Sequence, residues 1–255
     1  MPRNQDSRLM EEFKDRESFT RDELLSFFLS IEPKLSKGTF GWRIYDLKNR
    51  NIIRTMQRGR YAISRKSIYT PECSSEMVEI AKQLAKKFSE IRFSIWDTSW
   101  LNEFSQLQTS KSMLVIDVEK GFEEALFYEL KDNMHQEVFI RPDETAIYFY
   151  IAESQRPIII KKLLTRAPLS QISAKDVEFF TPTLEKVLVD LLAEDKLFHF
   201  FQGSELIHIY GNAISKYTIN FTKLFSYAKR REREEEIRQF MRNHIPHLVK
   251  EIGND

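Results

Sequence analysis

Cysteine is almost absent from this sequence, since Cys73 is the only one in 255 residues. A single thiol excludes an internal disulfide and a cysteine-rich zinc site, because each needs at least two cysteines. Glycine is also scarce, and none of the seven glycines forms part of a phosphate-binding loop motif. No apolar run approaches the roughly 20 residues that a membrane-spanning helix needs. The polar N-terminus is unlike a signal peptide, so we expect a cytoplasmic protein without a membrane segment.

Apolar and aromatic residues are plentiful, with 42% hydrophobic residues and 20 phenylalanines, and the length suits two modest domains. Charge is divided unevenly between them. Residues 1–70 contain fifteen basic and nine acidic residues, whereas the remainder contains 24 basic and 29 acidic residues. This asymmetry predicts that the first part contacts phosphate. The five histidines lack ligand spacing such as H-E-x-x-H, so neither a metal nor a cofactor is predicted.

The segment from Ser36 to Ser64 predicts a helix followed by a β-hairpin. The Ser36 side chain is placed to cap the helix, and Phe40, Ile44 and Leu47 form one apolar stripe at i, i+4 and i+7. Short strands at 52–56 and 61–63 flank a turn in which Gly59 supplies the positive φ. Two further helices precede this segment, at 7–16 and after the capping-box sequence Thr20–Glu23. Helix, helix, turn, helix and hairpin is the winged helix-turn-helix order.

Nine basic residues and one acidic residue lie between Ser36 and Lys66, which predicts a DNA-binding surface on the third helix and the hairpin, or wing. The predicted DNA-contacting residues are Lys37, Thr39, Trp42, Arg43, Asn49, Arg50, Arg58 and Arg60. Arg43 and Arg50 would reach bases or phosphates from one ridge of the helix, and the wing arginines would follow the backbone or enter the minor groove. Trp42 and Tyr45 face outward, with packing favoured over base contact as their role. The alternative is a winged helix that binds protein only.

A linker around Pro71 separates this winged helix-turn-helix domain, at 1–70, from a second domain at 75–255. The second domain is predicted to be α/β with a mixed sheet and C-terminal helices, so the fold class of the chain is α+β (mixed α/β). Predicted strands lie at 91–95, 112–118, 137–140, 146–151 and 157–161, the first half-buried and the second central. The chain is expected to be helical beyond Thr165, with helices at 183–192, 198–209 and 220–244. The charge run at 229–236 is expected to face solvent.

One set of residues in the second domain is typical of a metal-dependent nuclease. Asp117, followed by Glu129 and Lys131, supplies two carboxylates for a hard cation and a lysine to assist the attacking water. The spacing around Glu129 is helical, however, and on a helix Glu129 and Lys131 point apart. We therefore expect no enzymatic activity, and the nuclease remains the alternative to a DNA-binding protein.

Several segments resemble AbiEi-type antitoxins of bacterial abortive-infection toxin–antitoxin systems. The N-terminal resemblance lies in FTRDELLSFF and TFGWRIYDLKNRNIIRTMQRGRYAI, and the C-terminal one in VIDVEKGFEEALFYELKD, TPTLEKVLVDLLAEDKLF and INFTKLFSYAKRR. The resemblance implies a winged helix that binds double-stranded DNA at the promoter of its own operon and represses transcription. It also implies a C-terminal domain that neutralises a partner toxin of nucleotidyltransferase type.

Overall fold

The computed structural model describes residues 3–50, 52–64 and 66–249. The chain divides into two compact units. The first consists of Met1–Tyr69, Ile214–Thr222 and Arg238–Asp255, and the second of Thr70–Ala213 and Lys223–Ile237. The predicted fold class is confirmed: a small antiparallel sheet with helices precedes a larger mixed sheet and C-terminal helices.

The first unit has the winged-helix order of elements. They are α1 (Arg3–Phe13), β1 (Phe19–Thr20), α2 (Arg21–Ile31), α3 (Lys37–Asn49), β2 (Ile53–Gln57) and β3 (Arg60–Ile63). The predicted hairpin is confirmed as β2 and β3, and the unpredicted two-residue strand β1 extends it into a sheet of order β1-β3-β2. The capping box at the start of α2 is also confirmed, because the Thr20 side chain accepts from the Glu23 N–H and the Glu23 carboxylate accepts from the Thr20 N–H.

Aromatic side chains fill the core between these helices and the small sheet. Phe13 and Phe19 lie with ring centroids 4.1 Å apart, and Phe28 packs edge-on against Phe40 at 6.2 Å. The buried members of this core are Leu9, Phe13, Phe19, Leu24, Phe28, Phe40, Ile44, Leu47, Ile53 and Tyr61. The predicted apolar stripe of the third helix therefore faces the core of the first unit.

A later segment of the chain also belongs to the first unit. Residues 214–222 run beside the residues that follow β3: the Lys66 ammonium donates to the Ile214 carbonyl at 2.7 Å. The Thr218 N–H donates to the Ser67 carbonyl at 2.9 Å, and the Thr218 hydroxyl donates to the Lys66 carbonyl at 2.6 Å. The first unit is thus built from segments that are distant in sequence.

The second unit is organised around a six-stranded mixed sheet of order β6-β7-β5-β4-β9-β8. The elements from residue 70 onward are α4 (Ser75–Lys87), β4 (Phe93–Asp97), β5 (Leu114–Val118), α5 (Glu123–Asn133), β6 (Val138–Ile140), α6 (Glu144–Ala146), β7 (Ile158–Lys162), β8 (Leu169–Ala174), β9 (Val177–Pro182), α7 (Leu184–Ala193), α8 (Ser204–Lys216), α9 (Phe221–Arg230), α10 (Glu234–His244) and α11 (Pro246–Val249). The predicted central strand is confirmed as β5, which pairs antiparallel with β4 and parallel with β7. Among the described residues, no helix combines the length and apolar character needed to cross a bilayer.

The first predicted strand was expected to be half-buried, and this is wrong. All five residues of β4 are buried, because the strand lies inside the sheet between β5 and β9. Its two polar residues have partners: Asp97 accepts from the Ser99 N–H, and Ser94 lies 3.5 Å from the Asp117 carboxylate.

The strand predicted at 146–151 is also wrong, because this segment is a π-helical turn, Ile147–Ile151, that continues α6. The Asp143 side chain accepts from the Ala146 N–H and begins the helix. Ile147 and Ile151 are buried, whereas the three aromatic residues between them are exposed. Apolar residues on both sides of the turn gave the segment the appearance of a strand.

The expectation that the chain is helical beyond Thr165 is wrong for residues 169–182, which form the antiparallel pair β8 and β9. Their turn is made by Lys175 and Asp176, with φ of 46° and 67°. A turn with positive φ usually contains glycine or asparagine, so this hairpin has no strong turn signal in the sequence.

The last two predicted helices are each interrupted. A 3₁₀ turn at His199–Phe201 and Gly203, with φ of 64°, separate Phe198 from α8. The helix predicted at 220–244 is broken between α9 and α10, where Glu232 has a φ of 57°. Six of the eight residues of the charge run at 229–236 are exposed, as expected, but the side chain of Arg231 is largely buried and pairs with Glu194 at 2.7 Å.

Candidate nucleic-acid interface

The third helix, α3, is positioned by its cap and its apolar stripe. The Ser36 hydroxyl accepts from the Thr39 N–H at 3.1 Å, as predicted, and the Thr39 hydroxyl lies 2.8 Å from the same oxygen. Phe40, Ile44 and Leu47 are buried, which turns the opposite face of the helix outward. Thr39 is exposed at the first turn, at the edge of that outward face.

Arg43, predicted to contact DNA, instead points into the first unit. Its guanidinium forms an ion pair with Glu32 and lies 5.1 Å from the ring centroid of Phe28. Only 11% of the side chain is exposed. The acid that binds it is at the end of α2, eleven residues earlier in the chain. Arg43 in this position stabilises the packing of α2 against α3.

Arg50 is also held by acids of the first unit. Its Nε donates to Asp46 at 2.9 Å and its Nη2 donates to Asp6 at 3.1 Å. The hydrogen bond to Asp6 is the largest cause of a raised pKa for Arg50. The nine-to-one excess of basic residues counted in the sequence therefore overstates the charge of this surface, because Asp6 and Glu32 come from outside the counted stretch.

The outward row of α3 is aromatic rather than basic. The exposed fraction is 59% for Trp42 and 63% for Tyr45, so the interpretation of these two residues as packing partners is wrong. Lys37 is exposed at the start of the same helix. The side chain of Asn49, another residue predicted to contact DNA, lies outside the described residues.

The wing presents its arginines at the tip of the hairpin. Gly59 has a φ of 76°, as predicted for this turn, and its carbonyl accepts from the Arg21 N–H at 2.8 Å, which fastens the tip to the start of α2. Arg60 is exposed and its Nη1 donates to the Ser18 hydroxyl at 3.2 Å. Arg58 is exposed, and within the described part of the chain it has no ion-pair partner.

Residues 39–247 match the model of a family of unknown function, DUF6577. The match covers more than half of the chain. The chain belongs to DUF6577. No curated protein matches it. The matched region begins inside α3, so it includes the aromatic row, the wing and the second unit of this DUF6577 protein.

The nuclease alternative rests on Asp117, Glu129 and Lys131, which have separate partners in the DUF6577 chain. The Asp117 carboxylate accepts from the Lys186 ammonium at 2.7 Å, whereas Glu129 accepts from Lys87 and Gln83. Glu129 lies on a helix, α5, as the spacing predicted, and its bond to Lys87 is the largest cause of its lowered pKa. Within residues 3–50, 52–64 and 66–249, no group of three metal-ligating side chains is placed to hold an ion.

Asp117 belongs to a buried ion cluster that the sequence reasoning missed. The Lys186 ammonium lies between Asp117 and Asp190, at 2.7 and 2.6 Å. Around this centre, the Tyr227 hydroxyl donates to Asp190 at 2.8 Å, and the Glu194 carboxylate accepts from Lys161 at 2.6 Å and from Arg231 at 2.7 Å. Three carboxylates thus balance three cations. The i, i+4 spacing of Lys186 and Asp190 on α7 was the one local signal of this cluster.

The cluster fixes the ionisation of its members. Burial disfavours a charged Lys186, but attraction to Asp117 and Asp190 outweighs it and raises the lysine pKa well above its ordinary value. Burial likewise opposes ionisation of Asp190, yet Lys186 and Lys161 lower its pKa. At neutral pH Lys186 and Asp190 are therefore charged and paired, which is the behaviour of a structural ion pair and not of a general acid or base.

Proposed function

We propose that this DUF6577 chain is a DNA-binding transcriptional repressor whose first unit binds double-stranded DNA at its own promoter. The observation that supports it is the exposed outer face of α3, together with exposed cations at the start of that helix, Lys37, and at the tip of the wing, Arg58. Neither cation has an ion-pair partner among the residues that the structure describes. A winged helix of this kind inserts the third helix into the major groove while the wing contacts the backbone. Arg43 and Arg50 are left out of the proposed interface, because acids of the first unit bind them.

The wing provides the test of DNA binding. The double variant Arg58→Ala/Arg60→Ala is expected to weaken binding to the upstream DNA of its own gene roughly tenfold, and to reduce the slope of log K against log salt by about 1–2, because fewer counterions are released when fewer phosphates are neutralised. The measurement is a gel-shift or fluorescence-anisotropy titration at several salt concentrations.

The matched control removes the same charge from the second unit. Lys82 and Lys86 are exposed lysines on α4, and the variant Lys82→Ala/Lys86→Ala should bind as the wild type does. Equal affinities for the wing variant, the control variant and the wild type would remove the wing from the proposed interface.

We propose further that the second unit binds a protein partner, in line with the resemblance to AbiEi-type antitoxins. The partner implied by that resemblance is a nucleotidyltransferase toxin, which the chain would neutralise without catalysis of its own. The supporting observation is an aromatic patch in which the half-buried His199 joins the exposed rings of Tyr148 and Phe200, with Phe149 and Tyr150, which follow Tyr148 in the chain, also exposed. The Tyr148 and His199 rings lie 5.2 Å apart, and exposed aromatic clusters of this kind are typical of protein interfaces.

Growth rescue tests the antitoxin role. Cells that express a nucleotidyltransferase encoded next to this gene should be rescued by the wild-type chain and by Arg58→Ala/Arg60→Ala, but much less by Phe149→Ala/Phe200→Ala, because interface aromatics dominate binding energy. Tyr128→Ala, which removes an equally exposed ring elsewhere in the second unit, is the matched control. Full rescue by the Phe149/Phe200 variant would exclude the patch, and absence of such a neighbouring gene would contradict the antitoxin role.

A further inference from the structure

Aromatic and small residues occupy the middle of the outer face of α3, between Lys37 in its first turn and Lys48 in its last turn. At helical spacing, Gly38, Trp42 and Tyr45 form one row, with Gly41 beside it. Both aromatic rings are more than half exposed, whereas the other two tryptophans of the chain, Trp96 and Trp100, are buried. A helix that turns a tryptophan and a tyrosine to solvent, one turn apart, presents a surface suited to a ligand with apolar groups.

The glycines beside the rings are not needed for the packing of the described residues. Outside the backbone of α3 itself, a Cβ atom added to Gly41 would meet no described atom within 4 Å, and one added to Gly38 would meet only the Ser36 hydroxyl at 3.9 Å. Neither glycine has a positive φ, so alanine would fit both positions and would favour the helix. The absence of side chains here leaves space for a ligand to approach the backbone of α3 closely.

The charges at the edges of this face select a polyanion. Lys34, in the turn before α3, and Lys37, its first residue, are exposed and have no ion-pair partner among the residues that the structure describes; the same holds for Arg58 at the tip of the wing. The acids nearest to the face in the chain, Glu32 and Asp46, bind Arg43 and Arg50. Exposed cations next to an apolar centre match the major groove of double-stranded DNA, in which phosphates border the base edges.

In the major groove, the apolar feature that distinguishes one base pair from another is the 5-methyl group of thymine. We propose that Trp42 and Tyr45 read sequence by contact with thymine methyl groups, with Gly38 and Gly41 allowing α3 to lie close to the bases. This inference rests on the proposed DNA-binding function. It assigns base recognition to two apolar side chains and leaves Arg58 and Arg60 to hold the backbone.

The experiment replaces thymine by uracil, which removes only the methyl group. The upstream DNA of the gene is amplified once with dTTP and once with dUTP, so the position of the binding site need not be known. The wild type is expected to bind the uracil DNA more weakly, by roughly fourfold for each methyl group that the two rings touch. Trp42→Ala/Tyr45→Ala should bind thymine DNA more weakly than the wild type, should bind both DNAs equally, and should keep the wild-type salt slope.

A control variant and two contrary results distinguish failure of this inference from failure of the proposed function. Tyr128→Ala removes an exposed ring from the second unit and should retain the wild-type preference for thymine. An equal preference for thymine in the wild type and in Trp42→Ala/Tyr45→Ala would overturn the inference while leaving the proposed function intact. Failure of the wild type to bind either DNA would overturn the proposed function itself.

A measurement on the wild type avoids any effect of the substitutions on folding. Trp42 is the exposed tryptophan, so thymine DNA should shield its fluorescence from acrylamide. Unchanged quenching in the complex would overturn the inference. A second result would also overturn the inference: a wild type that is a dimer, and a Trp42→Ala/Tyr45→Ala variant that is a monomer with the same preference for thymine. The outer face of α3 would then be an interface between copies of the chain.

Discussion

Replacing Lys186 by methionine is expected to lower the free energy of unfolding by about 3–5 kcal/mol, the usual effect of removing one partner from a buried ion pair. The Lys186 side chain is 1% exposed and lies between Asp117 and Asp190. Methionine fills a similar volume, so the loss of stability measures the cost of leaving the two carboxylates buried without Lys186. The nearest other cations to them are Lys161 and Arg231, each at 3.7 Å, and these also bind Glu194.

Urea unfolding measures this loss, and Lys162→Met is its matched control. Lys162 follows Lys161 at the end of β7 but is exposed, so its replacement should change the free energy of unfolding by less than about 0.5 kcal/mol. Similar unfolding midpoints for Lys186→Met and Lys162→Met would show that the buried cluster does not stabilise the second unit.

The difference in the free energy of unfolding between the wild type and Lys186→Met should become smaller as the pH falls. Burial raises the pKa of Asp190, and Lys186 is the largest of the charges that lower it, so without Lys186 this pKa should rise. In Lys186→Met, burial of the charged Asp190 carboxylate lowers stability at pH values above this raised pKa. That penalty disappears as the pH falls through the pKa, because the carboxylate becomes protonated. The wild type behaves in the opposite way, because it loses the contribution of Asp190 as the pH falls through a lowered pKa. Unfolding curves measured from neutral to acidic pH test this, and a constant deficit would contradict it.

A larger loss is expected when the chain is ended before Phe221, which removes α9, α10 and α11. Among the buried residues removed are Leu224, Tyr227, Met241 and Ile245, whose burial is worth about 6–12 kcal/mol, comparable with the whole stability of a typical domain. Tyr227 and Arg231 are also removed from the ion cluster. We expect a protein without a cooperative thermal transition, with weak near-UV circular dichroism.

A chain that ends at Val249 is the control for this truncation, because it retains every helix and strand that the structure describes. It should unfold cooperatively near the wild-type temperature. A cooperative transition in the shorter chain as well would show that the two units fold without the C-terminal helices.

Local patterns predicted much of the first unit. The cap at Ser36, the stripe of Phe40, Ile44 and Leu47, and the turn at Gly59 each depend on residues a few positions apart, and each is confirmed. The central strand β5 was equally clear, because a continuous apolar run is typical of a strand buried on both faces.

The direction of charged side chains could not be predicted in the same way. Arg43 and Arg50 had the spacing of an outward ridge, but their partners Glu32 and Asp6 are 11 and 44 residues away. Lys186 and Asp117 are 69 residues apart. Ion pairs between distant residues leave no periodic signal in a sequence, so a count of charges predicts the net charge of a segment but not which cations remain unpaired.

Because residues 214–222 and 238–255 belong to the first unit, the order of synthesis matters for this chain. A ribosome that has completed Tyr69 must add almost the whole remaining sequence before the first unit has all of its segments. At about 5–20 residues per second, that delay is on the order of 10–40 s, during which the winged helix lacks the later segment that pairs with Lys66 and Ser67. A product terminated before residue 214 would therefore contain the winged-helix elements without the segment that pairs with Lys66 and Ser67.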